Sequence, residues 1–183
     1  MALVNQVDRA LRIFRLAISV IILGCSAAMA LRPSYGETGG LGKADRILVL
    51  KAERQLELLR NGRILKSYPI SLGQHPIGPK RQRGDGRTPE GLYFIDGRSS
   101  RTGYHRMLHI SYPNAADLKY ARAAHLDPGG AIAIHGMPNR YGRHDPTHFY
   151  VDWTDGCISV GSIAIEEIWG AVDNGTPIEI RAK

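Results

Sequence analysis

Cysteine is almost absent from this sequence: two in 183 residues, at positions 25 and 157. That excludes a scaffold stapled by several disulfides and a four-cysteine zinc module. Aromatic residues are also few, at 7%, and none interleaves with the basic stretch HPIGPKRQRGDGR at 75–87. A single-stranded nucleic-acid groove needs such interleaved stacking platforms, so no nucleic-acid partner is expected. Long apolar runs are missing too, since the longest, LAISVIILG at 16–24, is too short for a comfortable membrane span. No internal repeat or low-complexity tract occurs. Strands do not alternate with long helices, which excludes a doubly wound α/β sheet.

What is present describes an exported domain. Arg9, Arg12 and Arg15 precede the apolar run, and AMA at 28–30 offers a small-x-small cleavage site. Residues 1–30 therefore read as an export signal. Two alternatives stay open: a lipoprotein signal, because IILGC places Cys25 as a lipidation candidate, and an uncleaved anchor. All three place the domain outside the cytoplasm, in the periplasm or cell envelope, with membrane attachment in the last two. Residues 31–44 are Gly-rich and polar, a linker. Residues 45–183 form one domain, with 43% hydrophobic and 22% charged residues across the chain, a globular composition.

The local pattern is of short strands. RILVLK (46–51), QLELLR (55–60) and RILKSYPISLG (63–73) form a meander, with Asn61–Gly62 as a hairpin turn. Prolines and glycines make 74–91 a loop. Further strands are expected at 92–95, 105–112, 129–136, 156–160 and 174–180. Helices are expected at 114–126, capped by Asn114, and at 162–172, with Ser162 as N-cap. The fold class is mainly β, a sandwich or small barrel with one or two short helices. The net charge is +7. A surplus of two lies in the leader, and much of the rest sits in 75–87. A solvated basic loop is one reading, and contact with an anionic cell wall or membrane surface is the other.

Removing or lipidating Cys25 leaves Cys157 without a partner in an oxidising compartment. A buried packing residue and a nucleophile both fit. A nucleophile needs a base, and His135 in AIAIHG (131–136) ends an apolar strand at a glycine, as Cys157 follows Gly156 in TDGCI (154–158). Strand pairing can bring the two together. The amides of Gly156 and Cys157 could form an oxyanion hole, with glycine giving a substrate carbonyl close access.

These residues resemble the L,D-transpeptidase catalytic domain, the YkuD-like family. His135 and Gly136 match its His-Gly/Ser element. Thr154, Gly156, Cys157 and Ile158 match its Ser/Thr-His-Gly-Cys element. RTPEG (87–91) is similar to its Thr-Pro-x-Gly loop, and NGTPIEI (174–180) to its closing strand. The resemblance spans roughly residues 45–181. It implies an L,D-transpeptidase-like β-sandwich and no cofactor or metal. It further implies acyl transfer on peptidoglycan stem peptides at the diaminopimelate residue, through a Cys157 acyl-enzyme. His135 would act as general base and acid, and the Gly136 carbonyl would orient it. The acceptor stays open between amine, D-amino acid, protein and water. A hydrolase or carboxypeptidase of the same fold, or a non-catalytic wall-binding module, is the alternative.

Two departures stand out. Asp155 occupies the position where the family usually has histidine, and 18 residues separate His135 from Thr154. An anion beside a thiol raises its pKa, so Asp155 is expected to point away or to be held by Arg140 or Arg143. Tyr141, His148, Thr154 and Asp155 are candidates to line the substrate groove. A zinc site built from His135, His144, His148 and Asp152 is the rival chemistry, weakened by Pro146 within the HDPTH spacing. Trp153 and Trp169 read as core, and His75, His105, His109 and His125 as scattered surface or core histidines.

Overall fold

The structure is a computed structural model that describes residues 41–141 and 151–183. The leader at 1–30, most of the linker, Arg143, His144, His148 and the side chain of Tyr141 lie outside the described residues.

Eight strands and two helices follow one another as β1 (Arg46–Leu50), β2 (Gln55–Arg60), β3 (Arg63–Pro69), β4 (Gly91–Thr102), β5 (His105–Ile110), α1 (Ala115–Ala123), β6 (Ala133–His135), β7 (Ile158–Ser159), α2 (Ser162–Ala171) and β8 (Pro177–Arg181). The mainly β class with two short helices is as expected. The strand order is β3-β2-β1-β8-β4-β5-β6-β7. β1 runs parallel to β8, and β6 parallel to β7, while the other pairs are antiparallel.

Long β4 lets this order fold over itself. Gly91–Phe94 pairs with β8, whereas Ile95–Thr102 pairs with β5, with register shifts near Gly97 and after Ser99. A strand that switches ladders at a bulge turns the corner between two layers. The segment leaving β3 then reaches the far end of the order. Ser71 bridges Ser159, and Gly73 bridges Thr154. These contacts explain why β3 stops at Pro69 rather than at Gly73 as expected: Ser71 pairs with Ser159 of β7 and Gly73 with Thr154 upstream of it, instead of continuing along β2.

Period-2 alternation fills the core. Ile47, Val49, Leu56, Leu58, Ile178 and Ile180 are buried on one side of the hinge strand, and Leu108, Ile110, Ile134 and Ile158 on the other. α2 closes this core with Ile165 and Ile168. Its N-cap is Gly161 and not Ser162, which is buried in the first turn. α1 is capped by Asn114 as expected, with Asp117 completing a capping box.

The loop at 74–90 is more ordered than its composition suggests. Asp85 accepts bonds from the amides of Arg81, Gln82 and Arg87 and from Lys80 Nζ at 2.7 Å. Lys80 is buried, as is Lys51, whose Nζ meets the carbonyls of Gly78 and Thr88 and the carboxylate of Glu90. Burial pushes Asp85 up, yet the four donors outweigh it and hold the carboxyl below its ordinary value. The basic loop at 75–87 is thus largely at the surface, with Arg83 exposed, while Lys80 is buried and an internal anion, Asp85, organises it.

Candidate active site

The site forms where β6 ends and β7 begins. Their parallel register pairs Ile134 with Ile158 and His135 with Ser159. Ala133, His135, Ser159 and, one step before β7, Cys157 thus share one face of the sheet, and His135 and Cys157 are diagonal neighbours on it. Apolar runs build both strands, because Ile134 and Ile158 point into the core from the opposite face.

His135 is buried, and its Nδ1 lies 2.7 Å from the Gly136 carbonyl. A carbonyl oxygen can only accept, so Nδ1 carries the proton and Nε2 keeps its lone pair. Burial lowers the His135 pKa, with the Gly136 bond acting the other way. The imidazole is therefore neutral over a wider acidic range than an exposed histidine. Two aromatic rings flank it. Tyr104, at the β4–β5 turn, lies 4.5 Å from the imidazole centroid, and Trp153 meets the imidazole edge-on at 5.7 Å. Gly136 has no room for a side chain, since an added Cβ would lie 2.9 Å from Ile165 and 3.1 Å from the Tyr104 carbonyl.

The thiol is half-buried, with Sγ 3.6 Å from the Ala131 carbonyl. Burial raises its pKa. A backbone bond from Ala133 lowers it, the Asp155 charge raises it, and Lys80 lowers it. The thiol and imidazole shifts run in the same sense, each favouring the uncharged form of its group.

The turn that presents the thiol is fixed from inside. Thr154 is buried, and its hydroxyl donates to the Cys157 carbonyl at 2.7 Å and accepts from the Gly156 amide at 3.1 Å. Its backbone bonds both Leu72 and Gln74. Gly156 adopts φ +131°, and an added Cβ would lie 2.5 Å from the Arg87 carbonyl. Just upstream, Asp152 receives the Arg54 guanidinium at 2.6–3.1 Å and the Leu72 amide at 2.9 Å.

The sequence that builds this geometry matches a known family. The L,D-transpeptidase catalytic-domain model matches residues 44–180. The chain belongs to this family. It is 28% identical over 141 residues to "Putative L,D-transpeptidase YafK" of Escherichia coli (strain K12), covering 69% of this chain and 55% of that protein. Among solved structures, the helical cell shape determining protein Pgp2 from Campylobacter jejuni superposes with a TM-score of 0.57 at 25% identity, covering 75% of this chain and 47% of Pgp2. Bd1075 from Bdellovibrio bacteriovorus gives 0.55 at 26%, covering 78% of this chain and 51% of that one. The chain spans about half the length of these relatives.

Several expectations for this L,D-transpeptidase domain need correction. Thr154 does not line a groove, because its hydroxyl is a strut beneath the turn. The Gly156 amide is not a ready oxyanion donor, since Thr154 already takes it. Nor does Gly156 open a path for substrate, because the Arg87 backbone fills the space beside it. The Cys157 amide meets no acceptor among the described residues. Asp155 is exposed, 3.4 Å from the Gln74 amide, yet its charge still reaches the thiol. Asp152 cannot serve as a free metal ligand, because Arg54 and Leu72 occupy its oxygens. Trp153 is not simply core, and its buried indole Nε1 has no hydrogen-bond partner among the described residues. Trp169 does pack on the core, beneath the guanidinium groups of Arg98 and Arg106. His105 is not merely scattered: it meets Glu166 at 2.5 Å, beside the Tyr104 turn. Tyr141 ends a 3-10 turn over Asn139–Tyr141.

Tyr104 and Arg54 are the site residues that sequence reasoning missed. Tyr104 reaches His135 only through the β4–β5 register, which has two irregularities. Arg54 has one local sign, since it follows β1 with a positive φ of 52° that marks a tight turn.

Proposed function

We propose that this domain is a cysteine acyltransferase acting on peptidoglycan stem peptides, with Cys157 as nucleophile and His135 as general base and acid. The supporting observation is the His135 tautomer: Nδ1–H is committed to the Gly136 carbonyl, so Nε2 is the basic atom, on the sheet face that also carries Cys157. Cys157 Sγ attacks the acyl carbon at the diaminopimelate residue, forming the S–C bond, and its proton passes to His135 Nε2. The C–N bond breaks, and that proton leaves on the departing amine. An acceptor amine then attacks the thioester, gives its proton to His135 and restores the thiol. Water in that place yields hydrolysis. The Cys157 amide supplies the oxyanion donor from this chain.

A thiol pKa raised by burial and an imidazole pKa lowered by burial suit this sequence of steps. The thiol loses its proton only as the carbonyl is attacked, which limits reaction with other electrophiles. We further place the protein outside the cytoplasm, with Arg81 and Arg87 of the 75–87 loop, which form no ion pair with a carboxylate among the described residues, available to the anionic wall. The cell-shape role stated for Pgp2 is one this chain would share through wall remodelling. The test is muropeptide analysis before and after adding the purified protein. New cross-linked, exchanged or trimmed stems are expected with wild type and none with Cys157→Ala. Equal conversion by both proteins, or none by either, overturns the proposal. The latter result favours a non-catalytic wall-binding module.

A further inference from the structure

A cavity of about 560 Å³ lies beside the 154–157 turn, lined in part by Gln74, Pro76, Ile77, Arg81, Asp85 and Arg87. Its wall touches the turn directly. Gln74 bonds the Thr154 carbonyl through its amide and Asp155 through its side chain, and the Arg87 carbonyl packs against Gly156. That volume lies within the usual range of small-ligand sites, roughly 300–1,000 Å³.

The charge around this cavity is unevenly assigned. The 75–87 loop holds four cations: Lys80, Arg81, Arg83 and Arg87. Lys80 is buried against Asp85, and Arg83 pairs with Asp127 at 2.7 Å. The other two, Arg81 and Arg87, form no ion pair with a carboxylate among the described residues, and both line the cavity. Arg81 is held by stacking on Tyr120 at 4.1 Å. Asp85 also lines the cavity, but its oxygens are occupied by four donors from the loop itself. It therefore fixes the loop's shape instead of supplying a counter-ion to the two arginines. Pro76 and exposed Ile77 add apolar wall, and Gln74 an amide. Two guanidinium groups without a carboxylate partner among the described residues, in a cavity that also has apolar wall, fit a short peptide that carries a carboxylate.

We propose that the cavity is a substrate subsite in which Arg87, assisted by Arg81, binds a free carboxylate of the stem peptide while its acyl carbon is presented to Cys157. This rests on the acyl-transfer reading above and assigns that site a preference for unamidated stems. The two claims fail separately. A tetrapeptide stem with free carboxylates and its amidated counterpart are titrated calorimetrically into the full chain carrying Cys157→Ala, with Arg87 intact and with Arg87→Gln. Acylation of the wild-type thiol by the same peptides is followed by intact mass.

The free-acid stem is expected to bind at least about tenfold tighter than the amidated one, since each charge-assisted bond approaches or exceeds that factor. Arg87→Gln should remove most of the difference, and Arg81→Gln a smaller part. Iodoacetamide alkylation of Cys157 in the Arg87→Gln protein should match wild type, showing that the turn is intact. Equal affinity for both stems, or discrimination that survives Arg87→Gln, overturns the subsite. Selective, Arg87-dependent binding without acylation of the wild type overturns the acyl-transfer reading and leaves the carboxylate subsite standing.

Discussion

The two ends of the sheet obey different rules. At the β1–β2–β8 end, the inward positions Ile47, Val49, Leu56, Leu58, Ile178 and Ile180 are apolar and alternate with outward ones. At the β6–β7 end, four polar residues are buried within a short distance in the fold: His135, Thr154, Ser159 and Ser71. Burying a polar group costs free energy unless it is hydrogen-bonded. His135 and Thr154 each have a defined partner, and Ser71 and Ser159 exchange backbone bonds at 2.9 Å. The first end is held by area removed from water, the second by bonds that fix direction. Direction is what a nucleophile and its base require.

Glycine exposes the contrast most sharply. Gly62 in the β2–β3 hairpin has φ +73° and no atom within 4 Å of where a Cβ would sit, so only backbone conformation demands glycine there. Gly156 has both a positive φ and the Arg87 backbone in the way. Gly156→Ala should therefore destabilise by about 3 kcal/mol or more, strain and overpacking combined. Gly62→Ala should cost about 1 kcal/mol. Denaturant titration of the two variants checks this, and equal costs would erase the distinction drawn between the two ends.

A smaller effect is expected at Thr154. Thr154→Val keeps the shape but leaves the Gly156 amide and the Cys157 carbonyl without their partner, at about 1–3 kcal/mol. Thr154→Ser should restore most of the loss. Iodoacetamide alkylation should change in the valine variant and recover with serine. A valine variant as stable and as reactive as wild type would contradict the strut role.

The smallest effect concerns Asp155. Because burial and then the Asp155 charge raise the Cys157 pKa, the alkylation rate should inflect above the ordinary thiol value. Asp155→Asn removes an anion that disfavours thiolate, so the inflection should move to lower pH and alkylation at a fixed, mildly alkaline pH should quicken. Stability should be unchanged. His135 supplies the opposite limb. Its lowered pKa leaves Nε2 unprotonated at pH values where an exposed imidazole is charged, so activity should extend further into acid. An unmoved inflection in the asparagine variant would show that Asp155 does not reach the thiol.

The scaffold end was largely legible in the sequence. Alternating apolar residues and Asn61–Gly62 give β1, β2 and β3 to within a residue or so, except where β3 yields at Pro69 to the bridges with β7. Asn114 announces α1 as its cap, a signal that depends only on neighbours in the chain; the structure adds Asp117, which completes a capping box. The site end was legible as residue types but not as contacts. His135, Gly136 and Cys157 stand out by their flanking glycines. The roles of Thr154 and Gly156 depend on where residues 72–74 and 87 fall, and no local pattern encodes that. Tyr104 reaches His135 through a bulged strand pair. Arg54 meets Asp152 across 98 residues of sequence. The charge count of the basic loop likewise does not reveal that Lys80 turns inward to Asp85.

The central claim is that Cys157 is a nucleophile served by His135, and intact-mass analysis with a carbapenem tests it most directly. A strained β-lactam carbonyl offers the thiol an acyl carbon without requiring the natural acceptor. The account predicts a stoichiometric adduct on wild type, mapped to Cys157, sharply slowed by His135→Gln and absent in Cys157→Ala. A wild-type protein that never acquires the adduct, or a Cys157→Ala protein that does, would contradict it.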